Sequence, residues 1–531
     1  MKVVLIQPNV FLRKDEIKAG VTEEYRRYGI YKKRWGRLTN RKIELPPLGL
    51  CYLASYLLQN GHSVHILDAH TLELNLAETV EECYKFQPDL IGISFYTTNR
   101  NEVYFLARRL KERSDCPLVL GGPDPSIEPL EVVKQFPFAD FVMGGECELG
   151  LVQLANALEG KLPLSQVSGL HYRQNGEIIS NPPVDRIEDI NQVLFPARHL
   201  LDDLYEQDFY FTTLRGRERV DEIITSRGCP YRCNYCFEGV AYYKWRNPEN
   251  VMQELRQLKE REVQAVEIMD SNFALNKKRA GQLFDMIIEE KLDMKFRVRS
   301  VTNVVDEELW KKMKRAGVYA VSFGMEAGNE KMMKAMNKTF TSVEKNERAC
   351  RITKKVGMKC LTTFLLGCPG ETPETIEETK RFVKRIKPDT VNFNLLYPLP
   401  GTEQFIKNKD VIQGSWAVSE DGNRRDPWVP LPWCQDRKEF QRLVKAVETD
   451  ILISPHYLIK YAWENLKHPN PLMLTYAKKY IRQHWRARLG RTVASVLPNH
   501  GLSKSLKRKL YLPQGYSDSA EQEKRVATSP N

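Results

Sequence analysis

Short apolar runs punctuate the first third of the chain: VVLI at 3–6, VHIL at 64–67, LIGISF at 90–95, LVLGG at 118–122 and FVMGG at 141–145. Between them lie stretches with apolar residues at helical spacing. One of these, PLGLCYLASYLLQNG at 47–61, opens with proline and stops at Gly61, a residue suited to the left-handed position that ends a helix. The alternation returns further along, with strand-like runs AVEIMD at 265–270, MKFRVRS at 294–300, YAVSFGME at 319–326, KCLTTFLLG at 359–367 and TVNFNLLYP at 390–398. Such alternation predicts parallel sheets, because a parallel connection needs a crossover long enough to hold a helix. After YPLPGTEQF the pattern ends. Residues 411–436 are rich in Trp and Pro, and helical sequence follows from Lys438 to about Val496.

Five strands and their crossovers fit within residues 1–160, which predicts a flavodoxin-like or Rossmann-like unit. Ligands of that architecture bind beyond the carboxyl ends of the strands. Those ends carry Pro8, Ser94, Thr97, Gly121, Gly122, Gly145 and Glu146. Glycine there lets a backbone approach a ligand closely, and equally suits a plain tight turn. No GxGxxG follows the first strand, so a dinucleotide is not expected. The basic, Tyr-rich segment 14–41 reads either as a lid over the ligand or as an insertion.

Composition narrows the class. With 531 residues, 42% hydrophobic and 28% charged, the chain is an ordinary globular protein of two to three domains. No apolar run reaches the roughly 18–20 residues of a membrane span, and the start MKVVLIQPNV is unlike a secretory signal, so a cytoplasmic address is expected. The net charge of +12 is regional: ten Lys or Arg and no acid lie between Asn470 and Lys509. Eleven irregularly spaced cysteines do not suggest a disulfide framework and leave thiol or metal chemistry for any that cluster.

Three do cluster. SRGCPYRCNYCF, at 226–237, places Cys229, Cys233 and Cys236 on a loop that follows the strand ending Ile223-Ile224-Thr225. Iron–sulfur clusters usually take four protein thiolates. With three, one iron of a [4Fe-4S] cluster keeps an open position, as catalytic metal sites do. A zinc knuckle would need a fourth ligand nearby, yet no His lies between His199 and His456. The strands that follow predict a partial (β/α) barrel, whose active residues sit at strand ends: Asp270 and Asn272, Arg299, Ser322, Glu326 and the turn Gly367–Glu371. Cys350, Cys360 and Cys368 lack short spacing and read as core or turn thiols.

The spacing Cys-x3-Cys-x2-Cys with Tyr235 before the last Cys resembles the radical S-adenosylmethionine (SAM) superfamily, in which SAM chelates the open iron and is cleaved to a 5′-deoxyadenosyl radical. The series PPLGL, GHSVHILDA, PDLIGISF, LVLGGPDPS and GGECELG resembles the cobalamin-binding domain that precedes the barrel in one class of those enzymes. The resemblance implies an α/β chain: a flavodoxin/Rossmann-like cobalamin-binding domain at 1–160, a linker at 161–214, a partial (β/α)6 radical SAM barrel at 215–410, a helical C-terminal region at 411–515 and a disordered tail at 516–531. It implies a [4Fe-4S] cluster on Cys229, Cys233 and Cys236. It implies SAM at Tyr235, Asp270, Asn272, Arg299, Ser322 and Glu326. Cobalamin is implied at Pro8, Ser94, Thr97, Gly121, Gly122, Gly145 and Glu146. Asp68-Ala69-His70 only partly matches the Asp-x-His-x-x-Gly motif that supplies a lower cobalt ligand, since it follows the second strand and Glu73 replaces the Gly.

The function implied is methyl transfer to an unactivated carbon of a small-molecule or lipid substrate, with the domains' carboxyl faces meeting and an electron donor such as flavodoxin or ferredoxin. Oxidative cyclisation or rearrangement with the same cofactors is the alternative, and a non-enzymatic iron–sulfur or cobalamin-binding protein a remoter one. A tRNA methylthiolating enzyme would carry three further cluster cysteines near its start, which Cys51, Cys83, Cys116 and Cys147 do not resemble. Ile481, Trp485, Leu489 and Val493 recur every four residues among Arg482, Arg486, Arg488 and Arg491. That helix fits peripheral contact with a membrane, and equally a dock on its own protein. Nucleic acid is not an expected partner, because no recognisable binding module accompanies the charge.

Overall fold

The computed structural model describes residues 1–9, 45–183, 187–212, 218–237, 242–420, 426–452 and 454–460. The expected lid or insertion at 14–41 and the basic helix around Trp485 lie outside them.

Strands β1 (Lys2–Gln7), β2 (Ser63–Asp68), β3 (Leu90–Ser94), β4 (Leu118–Gly121) and β5 (Phe141–Met143) form a parallel sheet in the order 2-1-3-4-5. That is the doubly wound, flavodoxin-like order. Alternation along β1 shows why both faces are covered. Val3 and Leu5 pack in one apolar layer with the helices Leu48–Gln59 and Glu148–Leu158, while Val4 and Ile6 pack in the other with Arg100–Arg113.

The stretch expected to be a linker does more than link. It adds β6 (Leu170–Gln174) and β7 (Glu177–Ser180), antiparallel, to the far edge of the first sheet. It then supplies β8 (Phe211–Thr212), antiparallel, to the edge of the second. β6 and β7 are short and only partly buried, so their hydrophobic signal is weak.

The second sheet runs β9 (Glu218–Ile223), β10 (Ala265–Ile268), β11 (Lys295–Ser300), β12 (Val318–Glu326), β13 (Lys359–Leu366) and β14 (Thr390–Leu395), each parallel to the next. This is the expected six-stranded partial barrel. Its crossover helices start on side-chain caps that satisfy free backbone N–H groups: Asn247, Asn276, Asp306, Ser342 and Thr372. The helix-facing side of β11, Phe296 and Val298, is fully buried, whereas Arg297 on the other side is half-buried and Arg299 exposed. The barrel therefore presents a polar, open inner face.

A buried ion network joins the linker segment to the barrel. Arg198 pairs with Asp221 at 3.0 Å and Glu254 at 2.7 Å, and Arg246 also pairs with Glu254, so two guanidiniums neutralise two carboxylates. Tyr210 Oη donates to Asp68 at 2.8 Å, which commits that carboxylate to packing rather than to a relay with His70. The Trp- and Pro-rich stretch is a packed connector. Trp416 donates to the Pro398 carbonyl at 2.7 Å and Trp433 to that of Glu371 at 2.7 Å, while Arg100 of the first domain reaches the Trp416 carbonyl at 3.3 Å. Helical structure resumes at Arg437–Leu452.

Removing one member of a buried ion network leaves its partner uncompensated, at a cost of about 3–5 kcal/mol. Arg198→Met is expected to lower the thermal midpoint by several degrees, measured by circular dichroism. An unchanged midpoint would show that the network contributes nothing to stability.

Candidate active site

The cysteine loop is held at both ends. At its root, Asp270 lies just past β10 and its carboxylate accepts four hydrogen bonds, from the N–H and hydroxyl of Thr225 and of Ser226, at 2.6–3.0 Å. Ser226–Arg227 then pairs antiparallel with Lys244–Trp245. Gly228 follows at φ 78°, where an added Cβ would sit 2.0 Å from the Tyr242 carbonyl oxygen, so only glycine fits. Further along, Asn234 N–H donates to the Met336 carbonyl at 3.1 Å and its amide side chain to that of Ala335 at 2.7 Å. Tyr235 packs on the apolar cluster of Ala327, Met332, Met333, Met336, Cys368 and Leu396, with its hydroxyl bonded to Cys233. The three thiols carry no disulfide. Burial pushes the Cys233 thiol up, while the Lys338 ammonium and Tyr235 hydroxyl pull it down.

Among the described residues no three His, Cys, Asp or Glu side chains are already gathered around a single ion. An iron–sulfur cubane spans a wider triangle, and the donor set fits it: three soft thiolates on one loop with no imidazole beside them.

The residues expected around SAM fall into different environments. Asp270 is a correction: its lone pairs are taken by the loop root, so it positions the cysteines and does not face the open barrel. Asn272 is fully buried; its Oδ1 lies 3.4 Å from Ser300 Oγ and Val301 N, and its Nδ2 has no partner among the described residues. Glu326 adopts φ 64° at the end of β12 and pairs with buried Lys338 at 3.2 Å, beside Cys233. Ser322 and Arg299 stand in register on the inner barrel face. In the turn after β13, burial pushes Glu371 up to about 8 against backbone N–H donors from Gly367 and Cys368. Cys350, Cys360 and Cys368 are buried core thiols.

On the first sheet, Ser94, Gly121 and Gly122 line a small cleft of about 40 Å³ with Leu5, Leu53 and Leu151. Gly122 sits at φ 100°, and an added Cβ would meet Ser94 Oγ at 2.6 Å and Phe95 N at 2.8 Å. Glycine at 122 therefore lets the loop after β4 approach the end of β3 closely at the rim of the cleft. Gly145 is open around its Cα, with its N–H on Ser126 Oγ at 2.9 Å, while Pro8 and Thr97 are buried nearby in sequence but do not line the cleft. Glu146 is a second correction. Its carboxylate pairs with Arg227 at 2.9 Å and accepts from Tyr242 Oη at 2.6 Å, and Glu148 takes the same guanidinium at 2.6 Å. Arg227, Glu148, Tyr242 and Lys338 were not singled out by the sequence, although Arg227 stands two residues before Cys229. Through Arg227 and Tyr242 on one side and Glu146 and Glu148 on the other, the carboxyl edges of the two sheets meet.

The radical SAM superfamily model matches residues 223–383 and the B12-binding domain model residues 34–155. An uncharacterised methyltransferase of Pyrococcus horikoshii is 30% identical over 79% of this chain and 90% of its own. An anaerobic magnesium-protoporphyrin IX monomethyl ester cyclase of Rubrivivax gelatinosus is 28% identical over 69% of this chain and 67% of its own. The radical SAM methyltransferase TsrM of Kitasatospora setae, solved with cobalamin and a [4Fe-4S] cluster, superposes with a TM-score of 0.67 at 19% identity, covering 86% of this chain and 89% of that one. Three thiols on a strand-end loop, a glycine-lined cleft at the neighbouring sheet edge and these matches lead to one conclusion: the chain belongs to the cobalamin-dependent radical SAM enzymes.

Proposed function

We propose that this enzyme transfers a methyl group to an unactivated carbon of a small-molecule or lipid substrate. The observation that carries the reading is the Arg227 bridge, which fastens the three-thiol loop to the first sheet's carboxyl edge at 2.6–2.9 Å and so brings two cofactor sites to one chamber. Cys229, Cys233 and Cys236 would hold the [4Fe-4S] cluster. Asn272 Nδ2 and the Glu326 carboxylate are the polar groups best placed for SAM, and Ser94, Gly121 and Gly122 would hold part of the cobalamin. When bound, the cluster with SAM supplies a carbon radical and cobalamin supplies the methyl group. The protein's own share is orientation and dryness. Arg227 fixes the loop, Tyr235 seals it against the methionine cluster, and Lys338 keeps a positive charge beside the thiolates.

The methyltransferase relative at 30% identity and the TsrM-like fold favour methyl transfer, while the cyclase relative supports cyclisation or rearrangement as the second reading. The electron donor, of the flavodoxin or ferredoxin kind, is part of the proposal. No helix among the described residues is long and apolar enough to cross a membrane.

The test is anaerobic reconstitution with iron, sulfide and cobalamin, then SAM and a reductant. Wild-type protein is expected to release 5′-deoxyadenosine and to give a product heavier by one methyl unit; a product without that gain selects the cyclase reading. Cys233→Ala is expected to abolish SAM cleavage with cobalamin uptake intact, and retained cleavage would contradict the cluster assignment. Gly122→Ala, which sets a Cβ against Ser94 Oγ and the Phe95 backbone at the rim of the cleft, is expected to lower cobalamin uptake by about tenfold or more while SAM cleavage persists, read from the cofactor's visible absorbance.

A further inference from the structure

Charge on the inner barrel face is arranged in two layers. In the lower layer it is paired: Lys295 with Glu218, and Arg297 with Glu267, which also accepts from Tyr319 Oη at 3.3 Å. One layer higher it is not. Arg299 faces the same side as Arg297, with Ser322 in register on β12 and no carboxylate opposite on β10, where the strand continues as Met269. Its guanidinium is exposed and makes no hydrogen bond or ion pair among the described residues. Glu222 lies in register with Glu267, whose charge Arg297 already takes, and its own carboxylate is likewise unpartnered among them. From the other domain, Tyr96 in the loop after β3 is 53% exposed, and its hydroxyl lies in the fields of Glu222 and Arg299. An unpaired cation and two unpaired hydroxyl-type groups from both domains thus converge on one place.

That place is not the SAM end of the barrel. Ser322, the register partner of Arg299, is four residues before Glu326, which corresponds to about 13 Å along a strand. Glu326 and Lys338 act on Cys233, whereas Arg299 and Glu222 act on Tyr96. A SAM carboxylate bound at the cluster would sit in the first neighbourhood, so the expectation that Arg299 binds SAM gives way to a separate role.

We propose that Arg299, Glu222 and Tyr96 form the recognition subsite for the substrate, and that the group recognised is a carboxylate. This rests on the enzymatic reading above and adds the substrate's class. A guanidinium fork matches the two oxygens of a carboxylate, and Tyr96 can donate to them. Burial, reinforced by the negative charge of Asp221, pushes Glu222 up to about 8, with Arg299 and Arg198 opposing and Glu267 adding to the rise. At neutral pH Glu222 is therefore protonated, a third donor instead of a repelling anion. A cationic group would meet only Arg299's charge, and a wholly apolar one would strand all three.

The test is equilibrium dialysis of reconstituted protein against the small-molecule extract of the cells that produce it, before and after methyl esterification of the extract. Wild-type protein is expected to enrich carboxylate-bearing species, esterification to abolish the enrichment, and Arg299→Met to reduce it about tenfold to a hundredfold, with Arg299→Lys intermediate. Enrichment is expected to hold below pH 8 and to fall as pH rises through it, because Glu222 then ionises; Glu222→Gln, which stays a neutral donor, is expected to flatten that profile. Equal behaviour of wild type and Arg299→Met, including no enrichment by either, overturns the proposal. So does enrichment only of neutral, cationic or phosphate species. Cobalamin absorbance and 5′-deoxyadenosine release are read on the same samples. Loss of either in Arg299→Met would assign the residue to a cofactor and overturn the subsite, whereas a wild-type protein that cleaves no SAM would overturn the enzymatic reading itself.

Discussion

One guanidinium holds the two halves of the chemistry together. Arg227 precedes Gly228 and Cys229, and its partners Glu146 and Glu148 flank the loop after the last parallel strand of the other sheet. Two carboxylates around a mostly buried Arg, with the Tyr52 ring 5.9 Å from its centre, form an interaction that solvent screens poorly. Burial opposes the guanidinium's charge, yet Glu148 and Glu146 outweigh it and push the arginine further from deprotonation. Such a pair adds little net stability once desolvation is counted, yet it specifies one register between the parts it joins. Here that register decides whether a group generated on one domain can reach a group held by the other. Effective concentrations of that kind collapse with displacements of an ångström or so.

The chain uses charge in two opposite ways. Around Arg198 every charge is matched: Asp221 and Glu254 are fully buried, Arg198 and Arg246 balance them, and Tyr205 donates to Asp221. That network faces the linker segment and stays dry. On the opposite side of the same strand, one residue along, Glu222 looks into the chamber with no hydrogen-bond or ion-pair partner among the described residues. Alternation along β9 therefore separates a structural carboxylate from an available one, and the sheet needs no further device to keep them apart. Burial raises Glu222 first of all, and the neighbouring Asp221, paired with Arg198, adds to the rise.

Much of this architecture was legible in the sequence, because its signals are local. Continuous apolar runs such as VVLI and LIGISF belong to strands covered on both faces, and Gly61, at φ 81°, marks the end of the helix Leu48–Gln59. The cysteine spacing is local too. What escaped is non-local. Glu146 looked like a ligand-loop acid until Arg227, far along the chain, was seen to take it. Asp270 looked like a SAM contact because it ends a strand, yet its four donors come from Thr225 and Ser226 on the neighbouring strand end. Lys338 carries no motif, and only the fold of β12 back toward the cysteine loop sets it beside Glu326. The two strands at 170–180 escaped for another reason: half-exposed edge strands carry little hydrophobic pattern to read.

The six-stranded barrel leaves its inner face open, and the way it is closed bears on how such an enzyme acquires substrates. The Tyr96 hydroxyl of the first domain lies in the fields of Glu222 and Arg299, and the connector bonds to the first domain at Trp416 and to the turn after β13 through Trp433. The cluster neighbourhood is built from the cysteine loop, β12's last residue and Lys338, all fixed by backbone hydrogen bonds and buried packing. The chamber neighbourhood is built from strand residues, Arg299 and Glu222, whose charged groups make no hydrogen bond or ion pair among the described residues. Replacing Arg299 or Ser322 changes what the chamber binds without disturbing a backbone bond or the loop that holds the thiols. A scaffold with its reactive end locked and its recognition end free of structural duty can therefore keep one radical chemistry while its substrate changes.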